Sequence, residues 1–172
     1  QLAESQRIAH IGSWERDMKT GQVFWSDELF RLLGLDPRTD PADFKLFLEM
    51  AHPDDRPLLK KAMDETLREK KPFSRDYRFV LKDGATRNIH VQAELLCDEE
   101  GDLVVLSGTG QDITRQKQAE EKLRSSEEFV RSILDTVDEG FLVVNRDFVI
   151  LTANKAYCGQ VGRVCEEIIG SH

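Results

Sequence analysis

The chain has 172 residues, 40% hydrophobic and 33% charged, enough for one packed domain and part of a second. Its net charge of -8 and pI near 5.1 exclude a clustered cationic surface, and with it a nucleic-acid or anionic-membrane partner. There is no signal peptide and no apolar run of about eighteen residues, so no direct membrane contact is expected, although a parent protein could be anchored elsewhere.

Residues 2–10 read as a short lead-in helix. Gly12 opens an extended run to Met18, Lys19-Thr20-Gly21-Gln22 turns it back, and Val23-Phe24-Trp25 completes an aromatic hairpin. Ser26 is placed to cap a helix over 27–33, with Asp27 and Glu28 at its positive end and Gly34 after it. Phe44, Phe47, Leu48 and Ala51 lie at helical spacing and predict another short helix. His52-Pro53-Asp54-Asp55 signals the start of a helix over about 54–70, with Leu58, Leu59, Ala62, Met63, Thr66 and Leu67 on one face. Three strands follow: one alternating through Tyr77 and Phe79, one through Ile89, Val91 and Ala93, and one entered by the turn Glu99-Glu100-Gly101-Asp102. Two strands, a set of helices and three strands predict an α+β fold, a five-stranded antiparallel sheet with helices on one face.

The last strand passes into a helix with no loop residues between. Before Asp112 the residues favour extended structure, with Gly108 and Gly110 leaving room for a close neighbour; after Thr114, fourteen residues contain no Gly or Pro and are mostly strong helix formers. A stiff rod leaving a sheet directly suits signal transfer better than catalysis. Asp112, Ile113 and Thr114 form the junction, where short polar side chains can bond exposed amides and Thr114 can cap the helix. A plain cap without switching is the alternative. Ala119, Leu123, Ser126, Val130, Ile133 and Val137 are spaced 4, 3, 4, 3 and 4 apart, a seam suited to a partner helix and a homodimer. The competing reading is an amphipathic helix packed on its own domain.

Ile11-Gly12-Ser13-Trp14-Glu15, Trp25-Ser26-Asp27-Glu28-Leu29, Gly34-Leu35-Asp36-Pro37, His52-Pro53-Asp54-Asp55, Tyr77-Arg78, Lys82-Asp83-Gly84 and Gly110-Gln111-Asp112-Ile113-Thr114 occur in that order. Over residues 5–118 the chain resembles a PAS sensor domain with its C-terminal PAC segment. The resemblance implies a PAS fold and a cytoplasmic sensory module, usually within a bacterial two-component histidine kinase, with its phosphorelay, or a cyclic-di-GMP enzyme. An internal repeat supports it: Gly12 and Gly140 lie 128 positions apart, and the same offset sets Trp14 on Leu142, Ser26 on Asn154, Leu29 on Tyr157 and Gly34 on Gly162. The expected organisation is a sensor domain over 1–114, a linker (signalling) helix over 115–137 and the first part of an incomplete second PAS domain over 138–172.

Catalysis and metal binding find little support. His10, His52, His90 and His172 occur singly, without a phosphate loop, nucleophile elbow or paired metal motif. Asp54 and Asp55 are explained by helix-end electrostatics, and His90 by an exposed strand face. Cys97, Cys158 and Cys165 lack the spacing of a zinc site or a disulfide framework, so a reducing, cytoplasmic setting is expected. Haem-binding relatives use an axial histidine from the long helix, and photoactive flavin relatives a cysteine after the second helix. Neither residue stands there in this chain, so no cofactor is predicted. Trp14, Phe24, Trp25, Phe44, Phe47, Tyr77 and Phe79 form either a pocket for an unknown small ligand or plain core. The leading functional reading is a non-catalytic sensing and dimerisation region upstream of an output domain. A ligand-free dimerisation module is the second, and an enzyme acting in the aromatic pocket the third.

Overall fold

The computed structural model describes residues 10–97 and 103–171. The expected lead-in helix before His10 and the turn at 99–102 lie outside them. Strand β1 (Ile11–Asp17) turns back on β2 (Val23–Trp25) where Asp17 Oδ1 accepts the amides of Lys19 and Thr20 at 2.8 and 2.7 Å. Three helices follow: α1 (Asp27–Leu32), α2 (Phe44–Met50) and α3 (Arg56–Glu69). Strands β3 (Phe73–Val80), β4 (Thr86–Cys97) and β5 (Leu103–Asp112) complete an antiparallel sheet of order β2-β1-β5-β4-β3. This is the expected five-stranded α+β architecture. Helix α4 (Thr114–Thr136) comes next, followed by the hairpin β6 (Leu142–Val144) and β7 (Ile150–Ala153) and the short helices α5 (Lys155–Val161) and α6 (Cys165–Ile168). The chain divides into two compact units between Lys117 and Gln118. No helix among the described residues is long and apolar enough to cross a membrane.

Alternation along the strands sends Trp14, Tyr77, Phe79, Ile89, Val91, Ala93 and Leu106 to one face, where Leu29, Leu33, Phe47, Leu59 and Met63 from the helical side cover them. Two glycines allow this contact. A Cβ on Gly12 would lie 2.5 Å from the Leu29 Cα, so α1 rests directly on the β1 backbone. One on Gly108 would meet the Gln92 carbonyl and the Trp14 ring, which lies against the glycine paired with it across the strands. The room left at Gly108 is therefore filled by indole.

Ser26 caps α1 as expected, and its Oγ accepts two amides, Leu29 N at 3.3 Å and Ser13 N at 2.9 Å. Asp43 caps α2. Helix α3 begins two residues later than expected, because 52–55 form a turn held to β3: His52 N donates to the Arg78 carbonyl at 2.8 Å, and Asp55 and Arg56 amides reach back to the His52 carbonyl. Asp55 makes no side-chain cap. Its Oδ2 accepts the Arg78 amide at 2.8 Å and Nε at 2.9 Å, while Oδ1 meets Nη2 at 2.6 Å. Helix-end electrostatics is thus the wrong account of Asp55, which ties the start of α3 to an edge strand. Leu58, expected on the packed face of α3, is 49% exposed, while Leu59, Met63 and Thr66 are buried.

The second unit corrects the cysteine reading. Gly162, at φ 67°, ends α5 and reverses the chain, bringing Cys165 back over Cys158 with a Cα–Cα distance of 5.5 Å, and the two form a disulfide. A separation of seven residues carries no framework signal; the left-handed corner creates the proximity. Cys97 is free and exposed.

Two predictions follow from this packing. Gly108→Ala forces its methyl into the Gln92 backbone and the Trp14 ring, so urea denaturation is expected to show a loss of about 1–3 kcal/mol. The Arg78 guanidinium and amide hold the Asp55 carboxyl below the usual carboxylate range. A depressed folded pKa gives stability that is complete above the unfolded value, near about 4, and lost as pH falls through the folded one. Asp55→Asn is therefore expected to cost about 1.5–3 kcal/mol at pH 7, towards the lower end because Arg78 is partly exposed. In denaturation the difference between the two proteins should begin to shrink as pH falls below about 4 and keep shrinking at more acid pH.

Candidate functional site

The strand-to-helix junction is built on Asn88. Its carbonyl accepts the Ile113 amide at 2.9 Å, and its amide donates to Thr114 Oγ1 at 2.9 Å, so the β4–β5 ladder continues past the last strand residue. Asp112 Oδ1 accepts the Thr114 amide at 2.8 Å, and the Ile113 carbonyl receives the Lys117 amide at 2.9 Å to open the first turn of α4. Asp112, rather than Thr114, is the cap; the Thr114 hydroxyl instead fastens the helix start to β4. Ile113 is half-buried.

Arg87 adds a second layer. Its Nη1 donates to the Arg31 and Leu32 carbonyls at the end of α1, at 3.1 and 2.8 Å, and its Nε stands 3.7 Å from Asp112 Oδ2. Beside it opens a cleft of about 670 Å³ lined by His10, Glu28, Arg31, Arg87, Asp112 and Arg115. Buried Glu28 bridges Arg31 at 2.6 Å and the His10 ring at 3.5 Å.

Neither Asn88 nor Arg87 is marked by the sequence, and a further group escapes it altogether. On the outer sheet face Ser74 Oγ lies 2.9 Å from His90 Nε2, and His90 Nδ1 lies 2.6 Å from Asp76 Oδ1. Asp76 Oδ2 in turn lies 2.8 Å from Lys117 Nζ in the first turn of α4. The lysine first, and then the imidazole, hold the Asp76 carboxyl below its ordinary range. His90 is thus not a solitary strand residue. The usable signal is parity: 74 and 76 face outwards on one strand and 90 and 92 on the next, but only the register Asp76↔His90 brings them together.

The aromatic candidates separate. Trp14, Trp25, Phe47 and Phe79 are in ring contact, with centroids 6.1 Å apart for Trp14–Phe47, 6.2 Å for Trp25–Phe47 and 5.0 Å for Phe47–Phe79. Tyr77 is buried beside Phe73, 6.5 Å between centroids. Phe44 is half-buried under the Arg16 guanidinium at 4.9 Å. Phe24 does not belong to the group: it pairs with Glu15 and is 54% exposed, because pairing Trp14 with Trp25 turns it to the opposite face. Trp14 Nε1 is buried without a hydrogen-bond partner among the described residues.

Along α4, Ala119, Leu123, Ser126, Val130, Ile133 and Val137 are all exposed, as is Phe129, and no residue of this helix is buried. Among the described residues no group of three or more His, Cys, Asp and Glu is placed to hold a metal ion.

Comparison with known proteins agrees with this architecture. The family model described as PAS fold matches residues 22–110. The sensor protein FixL of Bradyrhizobium diazoefficiens is 34% identical over 140 residues, covering 81% of this chain and 28% of FixL. The probable diguanylate cyclase DgcE of Escherichia coli K12 is 28% identical over 174 residues, covering 99% of this chain and 16% of DgcE. A sensory box histidine kinase/response regulator from Burkholderia thailandensis has a solved structure that superposes with a TM-score of 0.61 at 26% identity, over 76% of this chain and 98% of that one. The chain spans less than a third of the length of these two curated relatives. On the family match over residues 22–110 and the sheet order that accompanies it, the chain belongs to the PAS-fold family.

Proposed function

We propose that the chain is the non-catalytic sensory and dimerisation region of a multidomain bacterial signalling protein, passing a ligand or partner signal through Asp112, Ile113 and Thr114 into α4. The observation that carries this reading is the extension of the β4–β5 ladder into the helix through Asn88, with no loop to absorb a displacement. The preferred output is a histidine kinase of a two-component system, supported by the likeness to the Burkholderia sensory box histidine kinase/response regulator, with the FixL match supporting a sensor protein. A sensor region of a diguanylate cyclase is the second reading, favoured by the DgcE match over 99% of the chain. The proposed organisation is a sensor domain to residue 114, a signalling helix to 137 and the start of a second PAS domain after it. A cytoplasmic place and a homodimer joined along the α4 seam complete the proposal.

The aromatic group supports a packed core with at most a small guest. Several of its rings touch one another, and among the described residues two of its buried polar atoms have no hydrogen-bond partner, Trp14 Nε1, which could hold an acceptor, and the Tyr77 hydroxyl. Haem and photoactive flavin are disfavoured in this reading, because α3 has no histidine and residues 34–51 have no cysteine.

Two experiments test the reading. Asp112→Ala removes the α4 cap, worth about 1 kcal/mol; protection of the Lys117 amide is expected to fall about fivefold, and output of the full-length signalling protein to change. Intact folding with unchanged output would remove the junction from the signalling path. Val130→Glu sets a charge in the seam, and sedimentation equilibrium should show the wild-type dimer shifted towards monomer.

A further inference from the structure

The group on the outer sheet face is not used by the core or by the backbone ladder. It runs from Ser74 through the His90 ring to Asp76, and from Asp76 to Lys117, whose own amide closes the first turn of α4. An imidazole and the cation that fastens the linker helix thus share one carboxylate. We propose that His90 and Asp76 form a proton-binding site whose occupancy sets how firmly the first turn of α4 is held to the sheet. The inference rests on reading the junction as the transmitting element, and supplies a stimulus for it, a change in pH.

With the imidazole neutral, Asp76 faces one full positive charge, on Lys117, and a neutral N–H from Nδ1. Nε2 is then an acceptor, served by the Ser74 hydroxyl at 2.9 Å and by Gln92 Nε2 at 3.3 Å. With the imidazole protonated, both ring nitrogens donate. Ser74 Oγ can accept the new proton, but the Gln92 amide faces it donor to donor and must turn away. Asp76 is then shared by two cations that repel each other, so the hold on Lys117 weakens. Imidazole changes charge between pH 5 and 8, while Asp76 stays ionised because its lysine and imidazole neighbours keep it below the usual carboxylate range. The tether is therefore tight on the alkaline side of the imidazole titration and loosens as pH falls through it.

The strand neighbours of His90 bring no free charge to it, and on α4 the next charged residues beyond Lys117 are Glu120 and Glu121, one turn further on. On β4 its neighbours on the same face are Asn88 and Gln92, and across β5 its register partner is Gln111, all uncharged. Glu94 lies four residues along β4, with Gln92 between. Arg78, next along β3 on that face, is engaged by Asp55 and Asp54 at 2.6 and 3.4 Å. A hydroxyl, an imidazole and a carboxylate in this order also serve nucleophilic catalysis. Here the second carboxylate oxygen is taken by Lys117, so the group ends on the helix that leaves the sheet.

Single-amide hydrogen exchange of the 172-residue chain at pH 7.5 and 5.5, corrected for intrinsic rates, tests the proposal. Protection of the Lys117 amide should fall about two- to fivefold at the lower pH, as expected for a partly exposed ion pair. His90→Gln should hold the higher protection at both values, and Asp76→Asn the lower protection at both, with circular dichroism confirming that each variant folds. Equal wild-type protection at the two pH values, or a pH response retained in His90→Gln, overturns the proposal. Either result leaves the sensory reading standing, since that reading is tested by the Asp112→Ala output and the Val130→Glu dimer measurement instead.

Discussion

Two hydrogen bonds at the Asn88 backbone, its carbonyl accepting the Ile113 amide and its amide donating to Thr114 Oγ1, govern how the junction is put together. A strand that ends in a loop loses its ladder at the last residue and lets the following element pivot. Here the ladder reaches one step into the helix, and Asp112 caps the first amide of α4 from inside the strand. One orphan donor of the helix start, the Thr114 amide, is therefore satisfied from the sheet. Helix α4 has 23 residues, about 35 Å at some 1.5 Å per residue, and its first turn belongs to the same unit as the sheet.

The far end is gripped by a variant of a device already used in the first unit. Ser26 Oγ accepts the Ser13 and Leu29 amides, while Ser26 N donates to the Ser13 carbonyl at 2.9 Å. With the repeat offset, Asn154 Oδ1 accepts the Phe141 and Tyr157 amides at 2.8 and 3.1 Å, and Asn154 N donates to the Phe141 carbonyl at 2.9 Å. The substitution of asparagine for serine has a consequence, because an amide side chain also brings donors. Asn154 Nδ2 reaches the Leu134, Val137 and Glu139 carbonyls at 3.0, 3.4 and 2.9 Å, the first in the last turn of α4 and the other two just beyond it. Asn154 is only 2% exposed, so these bonds are shielded from water and its loss would strand several polar groups at once.

What the sequence discloses is local, and what it hides depends on register or on a reversal of the chain. The strands, the Ser26 cap and the loop-free junction rest on alternation, capping chemistry and helix formers, all properties of a few consecutive residues. Phe24 was misplaced because a three-residue strand has too little alternation to fix its face, and pairing with β1 decided it. Helix α3 starts at Arg56 and not Asp54 because Arg78, 23 positions away, takes Asp55 across to β3, a partner that the local Asp54-Asp55 signal does not contain. Ser74, Asp76 and His90 are unremarkable singly and become a group only through Asp76↔His90 pairing. The Cys158–Cys165 bond needs the left-handed Gly162 corner, which seven-residue spacing does not announce.

These observations converge on β4. Its inward side chains Ile89, Val91 and Ala93 are buried in the core, its backbone at Asn88 holds the junction, and its outward His90 is bonded to the carboxylate that holds Lys117. One strand thus feels the packing on one face and grips the helix from its backbone and its other face. Because close-packed interiors transmit small displacements instead of absorbing them, a shift of β4 imposed by a guest among the aromatics would strain the Asn88 bonds and the Asp76–Lys117 contact together. A proton at His90 acts on the second of these alone. The two inputs therefore differ in what they can do: a core displacement can reorient the whole start of α4, whereas a proton can only change how easily that reorientation occurs.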